Sequence, residues 1–204
     1  MPGHHGLSRR LGLLTDGNAR TVLIRRSDRR RIPWKNGAGA TEVIATGDGD
    51  SPAWRVSVAD IGPGRTTFSS FPGLNRVFTV IGDHGVALEW DRSTVDLDPL
   101  DPFGFDGEFG PDCVAAGPTN AFNVMVDAAT TAAHVVPHHL SHSGVLTDAD
   151  AETVIYVHRG SIASGDHVAT AGDCLFVARQ SVDATGTATI LVATIKPLAV
   201  DPRV

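Results

Sequence analysis

Glycine and proline punctuate this chain every few residues, 22 and 12 of them in 204 positions, and short β-branched or aromatic runs lie between. That pattern confines the chain to an all-β sandwich or barrel. Strands are expected at 20–25, 54–59, 76–81 and 86–90 in the first half, and at 122–126, 153–157, 173–177 and 188–195 in the second. No window sustains a 3.6-residue apolar period, so helix should be scarce.

A chain of 204 residues can bury a sizeable core, as one large domain or two small ones folded together. The formal charge of −6 argues against a general nucleic-acid binder, which needs a clustered positive surface. The one basic run, Arg25 to Arg31, reads as a solvated strand edge or loop. Cys113 and Cys174 stand far apart in no Cys-x-x-Cys or Cys/His cluster, so neither a zinc site nor a disulfide framework is indicated and two buried thiols are expected. The apolar patch Leu11, Leu13 and Leu14 is too short for a signal-peptide core, and nothing approaches the roughly 20 apolar residues of a spanning helix. These features suit a cytoplasmic protein with no membrane partner and a mobile tail over 1–18.

Trp54-Arg55-Val56-Ser57-Val58-Ala59 alternates with period two, which sets Trp54, Val56 and Val58 on one face and Arg55, Ser57 and Ala59 on the other. If the second face lines a barrel, Arg55 needs an anion or a carbonyl array inside it; otherwise it faces water. Pro33-Trp34-Lys35-Asn36-Gly37-Ala38-Gly39 places one of only two lysines between an aromatic wall and an amide. This is either the wall of a polar pocket, with glycines admitting close backbone approach, or a strand entry with Trp34 in the core and Lys35 in water.

From Ala128 to Glu152 Ala, Thr, His, Ser and Asp dominate, with Pro137 midway, and a boundary between two halves is expected there. The second half repeats a strand, turn, strand pattern, Val154 to Gly160 and Val168 to Val177.

Several strings together resemble the HutD/Ves family. They are Pro33-Trp34-Lys35-Asn36-Gly37, Trp54-Arg55-Val56-Ser57-Val58-Ala59-Asp60, Phe68-Ser69-Ser70-Phe71-Pro72-Gly73 with Arg76, and Gly117-Pro118 with Phe122-Asn123-Val124-Met125. The resemblance implies a bicupin, two fused cupin-type β-barrels of the RmlC-like jelly-roll kind, associated in part with histidine utilisation. The second half separately resembles a cupin through Val154-Ile-Tyr-Val-His-Arg-Gly160 and Thr170-Ala-Gly-Asp-Cys-Leu-Phe-Val177. On this reading residues 19–130 form the first barrel with the pocket, 131–152 connect, and 153–204 form the second barrel. The chain departs from the family pattern at Ala38 and at Ala121, where a glycine and an aspartate are usual.

Many cupins hold a metal through a His-x-His pair and a nearby carboxylate. The resemblance implies that the corresponding window here is Ser69, Phe71 and Arg76, so no metal and no cofactor is expected in the first barrel. His134, His138, His139 and His142 crowd the connecting segment, but adjacent side chains on extended backbone point apart, a poor preformed site. His158 and His167 read as rim residues, and Asp96, Asp98, Asp101, Asp148 and Asp150 as solvated turn acids. Gly37-Ala38-Gly39 lacks the rest of a dinucleotide fingerprint, and no nucleophile elbow exists.

The ligand-binding set expected is therefore Trp34, Lys35, Asn36, Arg55 and Ser57 from the first motifs. Ser69, Phe71, Arg76, Asn123 and Met125 complete it. Inward cations imply a small anionic metabolite, and a regulatory or binding role, with formylglutamate- or urocanate-like acids suggested by the resemblance. The rival is a cupin-type isomerase or lyase in which Lys35 serves as acid or base. Bare sheet edges make a homodimer plausible.

Overall fold

The computed structural model describes residues 20–34 and 39–199, so the expected tail over 1–18 and the Lys35 to Ala38 part of the first motif lie outside the described residues. The strands run β1 (Arg20–Ile24), β2 (Arg31–Pro33), β3 (Gly39–Thr46), β4 (Trp54–Ile61), β5 (Gly64–Thr67), β6 (Leu74–Val80), β7 (Val86–Trp90) and β8 (Ser93–Leu97). They continue as β9 (Pro102–Asp106), β10 (Asp112–Ala115), β11 (Thr119–Asp127), β12 (Thr131–Val145), β13 (Glu152–Ser164), β14 (His167–Thr170), β15 (Cys174–Ala178) and β16 (Asp183–Pro197). One 3-10 turn, Arg26–Asp28, is the only helical element among the described residues. All eight expected runs fall on strands.

Three antiparallel sheets result. The first unit pairs a six-stranded sheet, ordered β2-β3-β4-β11-β6-β9, with a four-stranded sheet, β5-β10-β7-β8. Between them Ile61, Phe78, Val80, Leu88, Leu97 and Cys113 form a buried cluster. The second unit is one sheet ordered β1-β15-β13-β16-β12, with β14 beside the end of β13.

Period-two alternation on the second sheet builds two cores at once. Ile155, Val157, Leu175, Val177, Ile190 and Val192 point into one cluster inside the second unit. Their neighbours Val154, Tyr156, Phe176, Leu191 and Ala193 point the other way and pack against Trp54, Val56, Val58, Phe122 and Val124 of the first. Phe122 meets Tyr156 at 5.5 Å between ring centroids, and Trp54 stacks on Phe176 at 6.0 Å. The Trp54 indole N–H donates to Glu152 Oε2 at 2.6 Å.

The expected division of the chain gives way here. The segment 131–152 is not a connector for most of its length: 131–145 are β12, paired along all 15 residues with β16. Strand β1 likewise pairs with β15 of the second unit, although it precedes the first unit in the chain. The basic run is exposed at every position but Arg29, as a loop leading into edge strand β2, and it also reaches the second unit. Asp173, buried at 6 % exposure, accepts from the Arg26 backbone N–H at 2.9 Å and lies 3.4 Å from Arg25 Nη1. Arg29 donates to the Gly172 carbonyl and to Cys174 Sγ, and its guanidinium lies 6.0 Å from the Tyr156 ring centroid.

Burial of the Asp173 carboxylate works against its charge. Donation from Arg26, from the Thr170 N–H and hydroxyl, and from Arg25 outweighs that, so its pKa lies below the usual carboxylate range. A depressed folded-state pKa gives stability that is present above the unfolded value, near 4, and lost as pH falls through the folded one. Asp173→Asn is therefore expected to cost about 1–3 kcal/mol at neutral pH. Urea titrations at pH 7 and pH 3 check this, since the gap between wild type and variant should narrow in acid.

Candidate functional site

The six-stranded sheet of the first unit has one face against the second unit and one turned inward. Strand β11 lies between β4 and β6, and its register sets Met125 opposite Arg55 on one side and Arg76 on the other. One step along the same face, Asn123 lies opposite Ser57 and Phe78. Phe105 on β9 pairs with Arg76, closing the row. The alternation that buries Trp54, Val56 and Val58 against the second unit thus turns Arg55 and Ser57 inward.

These side chains line a pocket of about 660 Å³. Eight of the ten expected residues, Trp34, Arg55, Ser57, Ser69, Phe71, Arg76, Asn123 and Met125, contribute to it. Lys35 and Asn36 lie outside the described residues. The sequence reading missed Ile32, Thr41 and Val43 on the β2–β3 side, and Phe68 and Phe78 among the aromatics. Phe78 was detectable: it stands two residues beyond Arg76 on the same strand face. Trp34 is held by donation of its indole N–H to Thr41 Oγ1 at 2.7 Å. Gly39 leaves room for that ring, since a Cβ there would lie 2.8 Å from it and 2.2 Å from the Asp60 carbonyl oxygen.

Arg76 is 5 % exposed, yet its Nε and Nη1 have no hydrogen-bond partner among the described residues. Its guanidinium carbon lies 5.0 Å from the centroids of both Phe68 and Phe105 and 5.8 Å from that of Phe71. Aromatic faces return part of the lost hydration but supply no acceptor along the N–H directions. Arg55 is half-buried; its Nη2 donates to Met125 Sδ at 2.9 Å, its Nε is unpartnered, and it too faces Phe71 at 6.0 Å. Burial lowers the pKa of both, and Arg55 adds to the effect on Arg76, which is pushed down to about 10. Both remain cations at neutral pH, and no carboxylate among the described residues is bonded to either.

The neighbouring Cys113 is no nucleophile at neutral pH, because burial pushes its thiol up to about 11 against the opposing pull of Arg76. At the departure from the family pattern, Ala121 lies in the row between Ala59 and Val80 and brings no carboxylate to the pocket face. Asn120 instead donates to Asp60 Oδ1 at 2.6 Å, the carboxylate that also pairs with Arg31. Among the described residues no group of three or more His, Cys, Asp or Glu could hold a metal ion. His134, His138, His139 and His142 are spread along the exposed strand β12. A larger groove of about 1250 Å³ lies outside, beside Trp90 and Phe103, but its Arg65 is already paired with Glu89 and Asp112.

Two antiparallel β-units, one enclosing a cationic, aromatic-walled pocket, define a cupin-type protein. A cupin 2 conserved barrel domain protein from Leptotrichia buccalis shares the fold at a TM-score of 0.56 and 10% identity, over 81% of this chain and 92% of that one. The chain belongs to the HutD family, whose model matches residues 26–192. HutD from Pseudomonas fluorescens SBW25 is similar at 28% identity and a TM-score of 0.77, over 88% of this chain and 100% of that chain. An uncharacterized 21.2 kDa protein in the hutC 3′ region of Pseudomonas putida is 40% identical over 108 residues. That match takes in 50% of this chain and 56% of the relative, so the chain spans about half the length of this curated relative. No helix among the described residues is long and apolar enough to cross a membrane.

Proposed function

We propose that the first unit binds a small carboxylate-bearing metabolite between Arg55 and Arg76, and that the protein acts by binding, in regulation of histidine utilisation. The observation that carries the first part is the near-complete burial of Arg76 with two guanidinium nitrogens unpartnered among the described residues. An unpaired buried cation is costly, and a planar carboxylate is the guest whose two oxygens match a guanidinium fork. Trp34, Phe71 and Met125 supply apolar contact for its carbon skeleton. The regulatory part rests on family membership and on the hutC-region relative, and it points to formylglutamate- or urocanate-like acids.

Each charge-assisted bond should contribute roughly 1.5–3 kcal/mol, so Arg55→Ala is expected to weaken binding of such an acid by on the order of tenfold or more. Titration calorimetry with formylglutamate and urocanate measures this. Equal affinities in wild type and variant would remove Arg55 from the site.

A further inference from the structure

We infer that Asn123 makes this pocket selective for carboxylates that also carry an N–H or O–H donor a few bonds from the acid group. The inference rests on the carboxylate reading of the same site and adds the chemistry of the ligand's other end. Asn123 is 8 % exposed, it lines the pocket, and its Oδ1 is buried with no hydrogen-bond partner among the described residues. Directly across on β6 stands Phe78, which has no donor to offer; directly across on β4, Ser57 does not reach it.

The two rows of the sheet therefore differ in hydrogen-bonding character, since only the Asn123 row offers an acceptor. Arg55 and Arg76, flanking Met125, only donate, and they take an anionic oxygen; the Asn123 row adds an acceptor, Oδ1, beside the donors of its own amide NH2 and the Ser57 hydroxyl. Asn123 is two residues from Met125 along β11, so the rows are about 7 Å apart. A short acid lying along β11, with its carboxylate between the guanidiniums, brings a donor three to five bonds away to Oδ1. A guest without that donor leaves the buried acceptor unsatisfied.

Succinamate and levulinate test this directly, because they share length, carboxylate and internal carbonyl and differ in an amide NH2 against a methyl. Calorimetric titration of the wild-type protein is expected to give affinity for succinamate at least about tenfold above that for levulinate. In Asn123→Leu the two acids should bind within about twofold of each other. Equal affinities in the wild type, or a preference that survives in Asn123→Leu, would overturn the role of Asn123 and leave the arginine clamp standing. If neither acid binds the wild type, both readings fall. Should the variant not fold, the wild-type comparison decides alone.

Discussion

Arg76→Met is expected to make the ligand-free protein more stable by about 1–3 kcal/mol while abolishing its binding of small carboxylates. The side chain is 5 % exposed, two of its nitrogens are unpartnered, and a second guanidinium stands in the same row. Burying such a charge costs more than three aromatic contacts return, each being worth about 0.5–2 kcal/mol. Methionine keeps much of the volume between Phe68 and Phe105 without the charge. Thermal melts without ligand should rise by about 2–4 °C per kcal/mol gained, and the melting shift induced by added carboxylate should disappear. A variant less stable than wild type would mean that Arg76 is a structural pillar rather than an unsatisfied binding group.

Phe122→Ala should cost about 3–5 kcal/mol. Its ring is fully buried, packs on Tyr156, and belongs to the cluster that holds the two units together. Because strand β1 and the basic run also tie the start of the chain to the second unit, the loss is expected to shift one cooperative transition by on the order of 10 °C. Calorimetric scanning checks it; two separate transitions of which only one moves would show that the units unfold independently.

That Arg55 and Ser57 share the face opposite Trp54, Val56 and Val58 was legible from the strict alternation of Trp54 to Ala59, but whether that face turns inward or to water was not. The meeting of Arg55 with Arg76 was not legible either, since that depends on β11 pairing with both β4 and β6, a register set by long-range contacts. Family resemblance supplied the grouping that periodicity could not. Strand β12 was hidden for another reason: His, Ser, Ala and Pro137 have weak β-propensity, and it is full-length pairing with β16 that makes the segment a strand. The ties of the basic run to Asp173, Gly172 and Cys174 were not legible, because those partners lie more than 140 residues away in sequence. Phe105, one of the rings on Arg76, lies on β9, which is not among the strands expected from sequence.

The most direct test is a crystal structure of the protein soaked with succinamate. A carboxylate lodged between the Arg55 and Arg76 guanidiniums, within hydrogen-bond distance of both, is the predicted result. An acid found elsewhere, or a pocket in which those guanidiniums have swung out to solvent, would contradict it.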